Sequence, residues 1–494
     1  MAFGNRSNPS ARLEIQHFRV FVAFVVVAFV IGGGARPDLA SLPILRPLAF
    51  VGIAYALTHG AWERTAEIRA IVWLALALAA IIALQLVPLP PSVWMALPGR
   101  EAIIAVGAQI GADDIWRSLS LTPSRTFNSL MSLSVPSAAV LLFGLLTPAR
   151  RGQAFTVFIA LGALTTLVGV VQEVTGTQSA LYFYDITNRG SAVGLFANRN
   201  HQAFFLACLL PLIIFGLSAR NADNDARFSW VLKLAALLLI LLMLPIVGSR
   251  GGLVIGLVAV LASIPIYLAL HPLRHDPAGK GMAAQRRKVL GIVGIMLLTP
   301  LLLLAPMVFG RVSALNRLFD DPRGGETRVE MLPYILDMTF KHLPFGTGFG
   351  SFEKAFYAFE PDSFLAEPYM NQAHNDWVQL FSEAGIIGGA VLLAFIIIGG
   401  RAFADAWQLR SRQPQSFAFR LTALVSIVLI GIASIVDYPL RVPSFMVFFA
   451  LLACVLIAPT GWIDVNVTSQ RAKRRRLPSP GHGTPTFQKS NAQR

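Results

Sequence analysis

Long apolar runs separated by short polar stretches dominate the chain. A helix of about 20 mostly apolar residues crosses a bilayer. Twelve runs qualify as candidate spans: 19–34, 44–60, 69–88, 128–147, 154–173, 201–218, 229–248, 252–271, 289–309, 376–399, 420–436 and 443–460. The weakest are 19–34 and 420–436, which are short and leave little room for tilt. The first run follows Arg6, Arg12 and Arg19, as a signal peptide would, but eleven further runs favour an uncleaved first helix. The pattern therefore predicts an all-α polytopic membrane protein of about twelve spans. Its parts are an N-terminal segment 1–18, a membrane domain 19–460 and a basic tail 461–494, polar and Pro/Gly-rich after Pro478, as disordered ends are. No internal repeat stands out, so an inverted-repeat transporter gains no support.

Two segments between spans are long, 89–127 and 310–375. Within the second, Val329, Leu332, Ile335, Leu336 and Phe340 share one helical face. Pro333 interrupts that helix, so a broken helix lying along the membrane surface is expected. The run PFGTGFGSF, Pro344 to Phe352, then reads as a flexible turn.

Composition sharpens the class. Of 494 residues 55% are apolar, only 14% are charged, and the mean hydropathy is +0.62. These values exclude an ordinary soluble enzyme and a disordered chain. The two cysteines, Cys208 and Cys454, both lie in apolar runs and exclude a disulfide scaffold. The net charge of +15 is distributed unevenly. With a cytoplasmic N-terminus and alternating loops, the inner segments carry 26 Lys/Arg against 8 Asp/Glu, and the outer ones 15 against 18. Lys/Arg excess marks the cytoplasmic side. Both termini are thus expected inside and the 310–375 loop outside. The tail around Arg471 and Arg474 reads as an anionic-lipid contact, not a nucleic-acid site.

Ionisable groups at membrane depth are costly, so their placement is informative. Arg250 sits in VGSRGG between the seventh and eighth runs, with Gly248, Gly252 and Gly256 at GxxxG spacing. It is either a snorkelling cap on a turn or a guanidinium for phosphate. Arg328 opens the surface helix. His374, in NQAHNDW beside Asn375 and Asp376, stands at the mouth of the tenth run and is a candidate general base. GLFANRNHQA offers Asn198, Arg199, Asn200 and His201, as helix caps or as phosphate or sugar contacts. Asp437 and Arg441 in VDYPLR fit a structural pair at four-residue spacing, and Arg311 and Arg441 are further candidate substrate contacts. The Asp320–Asp321–Pro322 turn is a poor metal site without further carboxylates, and no cofactor motif is present.

These pieces, in this order, resemble the O-antigen ligase and Wzy-type polymerase superfamily. The matching segments are FANRN at 196–200, SRGG at 249–252, TR at 327–328, PFGTGFGSF at 344–352 and AHNDWVQLFSEAGIIGG at 373–389, a core of about 190–400. The resemblance implies a GT-C-like membrane glycosyltransferase of the bacterial inner membrane, working on the periplasmic face. Its donor would be a glycan on undecaprenyl diphosphate. Its acceptor would be lipid A–core for a ligase, or a second lipid-linked glycan for a polymerase. The resemblance assigns catalytic positions to Arg250, Arg328 and His374, with no cofactor. A polyisoprenoid-glycan transporter is the rival from another class, but it would place its charges near mid-bilayer.

Overall fold

Proline at the first or second position and Asn or Ser at the cap start most of the helices, where the free N–H groups make such residues cheapest. The computed structural model describes residues 9–112, 114–219, 224–271, 286–299, 322–364, 370–459 and 461–463. The main helices are α1 (Pro9–Ile31), α2 (Leu42–Thr58), α3 (Arg69–Leu84), α4 (Pro123–Ser132), α5 (Ser134–Leu145), α6 (Pro148–Thr175), α7 (Arg199–Ser218), α8 (Asn224–Ile246), α9 (Arg250–Ala262), α10 (Ile264–Leu270), α11 (286–299), α12 (Pro322–Lys341), α13 (Asp376–Gln408), α14 (Pro414–Val436) and α15 (Pro443–Ile457). The only sheet among the described residues is a two-residue antiparallel pairing, Pro88–Leu89 with Arg117–Ser118.

Nine helical stretches among the described residues are long and apolar enough to cross a membrane, and two shorter apolar helices are α2 and α15. The chain is a multi-pass helical membrane protein. Much of the expected ninth span lies outside the described residues, as do Arg311, Asp320 and Asp321. The weak spans are not the expected ones. Helices α1 and α14 each run 23 residues, because both begin well before their apolar runs, whereas α2 has 17 and α15 has 15.

Helix α7 is the central post, buried at every position from His201 to Phe215. Aromatic rings lock its neighbours to it: Phe205 packs 5.0 Å from Phe29 of α1 and 5.4 Å from Phe448 of α15, measured between ring centres. Helix α9 approaches closely because Gly252 has no Cβ; one built there would overlap Ala203. Small residues permit such approaches where lipid provides no hydrophobic drive between helices.

Helix α13 breaks at Gly385, whose φ of 59° and ψ of −151° suit only glycine. The PFGTGFGSF run fills the break and is pinned there, contrary to the flexible turn expected. Thr347 and Gly348 N–H groups donate to the carbonyls of Ser382 and Glu383 at 2.9 Å, and Ile386 N–H donates to the Pro344 carbonyl at 3.0 Å. Gln85 of the α3 end adds two bonds, donating to Glu383 O at 2.9 Å and accepting from Phe349 N–H at 3.0 Å. Non-helical backbone near a bilayer persists only where it is satisfied in this way. A Cβ at residue 385 would also strike the Pro344 carbonyl. Gly385→Ala should therefore destabilise the protein by about 2 kcal/mol or more, seen as an earlier melt in detergent; an unchanged melt would contradict this account of the break.

Helix α12 packs through Met331, Ile335 and Met338. Of the face expected from sequence, Ile335 is buried, Leu332 and Leu336 are half-buried, and Val329 and Phe340 at its ends are 72% and 66% exposed. The packed face is thus rotated from the expected one and shares Ile335 with it; the two methionines complete it.

Candidate active site

The site forms where the ends of α14, α7, α9 and α13 meet. Asp437 follows the last turn of α14 and is fully buried. Its Oδ2 accepts from Asn200 Nδ2 at 2.6 Å, and its Oδ1 accepts from the Tyr438 backbone N–H at 3.0 Å. Two imidazoles face Oδ1: His374 Nδ1 at 3.3 Å and His201 Nε2 at 3.6 Å. Tyr438 sets its ring edge-on to both, 5.1 Å from His201 and 4.9 Å from His374. Burial alone would raise the Asp437 carboxyl, but the two histidines outweigh it and hold the group well below the usual carboxylate range. Burial, with the Asp437 charge beside it, pushes the Tyr438 hydroxyl up, so it stays a neutral donor.

His374 is the exposed member of the group, with 17% of its side chain accessible. It has a φ of 49°, a left-handed conformation uncommon for a residue with a Cβ. The turn carrying it is tied down: Ala373 N–H donates to Gln379 Oε1 at 2.9 Å, and Asn375 caps α13 by accepting from Trp377 and Val378 N–H at 3.1 Å. With Nδ1 towards the carboxylate, Nε2 is the nitrogen left for a ligand.

The arginines surround this centre. Arg328 donates to the Val436 carbonyl at 3.3 Å, one residue before Asp437. Arg250 is exposed at the first position of α9, directly after Ser249. Ser249 donates to Asn200 Oδ1 at 2.9 Å, so the start of α9 is joined to Asp437 through one asparagine. Arg328 thus reaches the 436–437 segment that faces His374, and the start of α9, which carries Arg250, is joined to that segment through Asn200.

Arg441 does not pair with Asp437. It reaches Asp376 at 3.4 Å and Glu383 at 3.1 Å, both buried on α13. The Asp437 carboxylate is already taken by Asn200 and the Tyr438 N–H, and the Pro439–Arg441 turn intervenes between the two residues. Of the FANRN residues, Asn198 caps α7 by accepting from Asn200 N–H at 2.8 Å, and Asn200 is the linker just described. His201, a candidate substrate contact by sequence, is 1% exposed and lies behind Asp437, so it acts on that carboxylate and not on a ligand. Arg199 is half-buried at the start of α7. Sequence reasoning missed the central role of Asp437. The signal was available: a carboxylate at the end of a mostly apolar helix needs buried partners.

A buried carboxylate 3.3 Å from a partly exposed imidazole, with Arg328 bonded to the adjacent carbonyl, is an arrangement suited to proton transfer beside an anion. Residues 235–393 match the O-antigen ligase family model. The likeness is confined to that segment. It spans Arg250, Arg328 and His374 and ends before Asp437 and Arg441. A search of curated proteins finds no match to the chain.

Proposed function

We propose that the protein transfers a glycan from undecaprenyl diphosphate to an acceptor hydroxyl on the periplasmic face of the inner membrane, ligating O-antigen to lipid A–core. The observation that carries this reading is His374 Nδ1 at 3.3 Å from the Asp437 carboxylate, with Arg328 on the neighbouring Val436 carbonyl. The acceptor oxygen attacks the anomeric carbon while His374 Nε2 takes its proton. The glycosyl–oxygen bond to the diphosphate breaks, and the electron pair leaves with the diphosphate. Arg328 and Arg250 stabilise that charge, because guanidinium stays protonated and binds phosphate oxygens in pairs. Next to low-dielectric lipid such fixed cations count for more than in water.

Arg441 is the third guanidinium, anchored by Asp376 and Glu383 so that it can contribute to the same field. Purified protein supplied with an undecaprenyl-diphosphate glycan and either lipid A–core or a second lipid-linked repeat should glycosylate the first acceptor, with and without chelator. Product only on the lipid-linked repeat would make it a polymerase. No product from either, with donor uptake across vesicles instead, would make it a transporter.

A further inference from the structure

Away from His374, the loop after α1 and the start of α2 enclose a cavity of about 490 Å³. Leu39, Pro47, Phe50 and Met131 give it apolar walls, and Asp38 and Arg46 are its charged groups. Asp38 is neutralised: Arg36 grips both of its oxygens at 3.0 Å. Arg46 has no such partner. Its Nη2 donates to two neutral oxygens, Asn128 O at 3.2 Å and Ser132 Oγ at 3.0 Å, and its Nε is buried without an acceptor. No carboxylate pairs with it among the described residues.

Arg46 stands about 6 Å along α2 from the helix start, at 1.5 Å per residue. Phe50, one turn on from Arg46 and 48% exposed, gives the groove an apolar outer wall. A guanidinium at this depth that is bonded only to neutral oxygens keeps most of its desolvation cost. An anion with an apolar tail would offset that cost and fill the cavity. A phosphate diester suits it, since two oxygens match the guanidinium fork.

We propose that this groove is a binding site for an anionic glycerophospholipid of the surrounding leaflet, its phosphate on Arg46 and its chain along Phe50 and Leu39. The site is separate from the His374 cluster but joined to it by backbone. The strap leading into the groove accepts from Ser444 N–H at Gly32 and from Ala197 N–H at Gly33, both at 3.0 Å. Those donors lie close in sequence to Arg441 and Asn198. A bound lipid would steady the strap, and through it the frame of the active site.

Native mass spectrometry of the full chain in detergent tests this, with phosphatidylglycerol, dioleoylglycerol and inorganic phosphate as separate probes. Phosphatidylglycerol should be retained and the other two should not. Arg46→Gln should lower the phosphatidylglycerol affinity about tenfold, the loss expected for one charge-assisted bond. Met131→Trp, which fills the groove and keeps the arginine, should lower it too, so the test survives if Arg46→Gln fails to fold. Unchanged binding in a folded variant would overturn the proposal. So would equal retention of dioleoylglycerol, which would mark a merely apolar slot, or occupancy by inorganic phosphate alone, which would mark a simple anion site.

Discussion

Asp437→Asn should lower glycan transfer per folded molecule at least about 100-fold. Asparagine keeps the shape of the side chain, and its carbonyl can still accept from Asn200. It loses the charge facing His374 and His201, 3.3 Å and 3.6 Å away in the wild type. An amide N–H turned towards His374 would make Nδ1 the acceptor and put the proton on Nε2. The nitrogen left for the substrate would then be protonated and unable to act as a base.

The sign of the pH dependence separates this from a structural role. Buried Asp437 is held well below the ordinary carboxylate range in the folded protein. Its unfolded value is about 3.9. A group depressed in this way contributes stability above the unfolded value and loses it only as pH falls through the folded one. The carboxylate therefore keeps its charge from pH 8 down to 5. It should add no titration of its own to wild-type activity in that window, and the Asn variant should be impaired across all of it. Equal activity of the variant at any pH in the window would remove Asp437 from the reaction.

Much of the fold was legible because crossing a bilayer imposes a coarse and repetitive signal. Apolar runs located most of the membrane helices, helical spacing located α12, and the Asn–Arg–Asn segment held the Asn198 cap of α7, whereas the Ser249 cap of α9 was not foreseen. Helix ends were less legible. Polar flanks such as Pro9–Gln16 and Pro414–Ser416 continue the helices α1 and α14 and carry no hydropathy signal. The site was legible where it rests on local sequence, as at His374 and its Asn375 cap. It was illegible where it rests on partners far apart in the chain. Nothing near Asp437 says that its partner is Asn200, 237 positions away, or that Arg441 turns to Glu383 on another helix. Burial removes the alternative of water, so these groups must find each other, but which ones meet is decided by helix packing.

Arg328→Ala should reduce transfer about 100- to 1,000-fold, the usual loss when a donor aimed at transition-state charge is removed. Arg328 is well placed for such a role because its charge is not already spent. Its one hydrogen bond goes to a neutral carbonyl, Val436 O at 3.3 Å, which aims the side chain at Asp437's neighbourhood without an ion pair among the described residues. Arg441, by contrast, shares its charge with two carboxylates, so Arg441→Ala should disturb folding as well as transfer. Arg328→Lys should not restore activity. An ammonium keeps the charge, but it lacks the planar fork that meets two phosphate oxygens at once. Donor affinity and turnover, measured separately on protein in nanodiscs, decide the matter. If the Ala variant loses donor affinity alone and keeps its turnover at saturation, Arg328 binds the diphosphate equally in ground and transition states and does not assist its departure. If turnover falls with expression and melting intact, the guanidinium acts on the developing charge, as its unspent position at the Val436 carbonyl next to Asp437 allows.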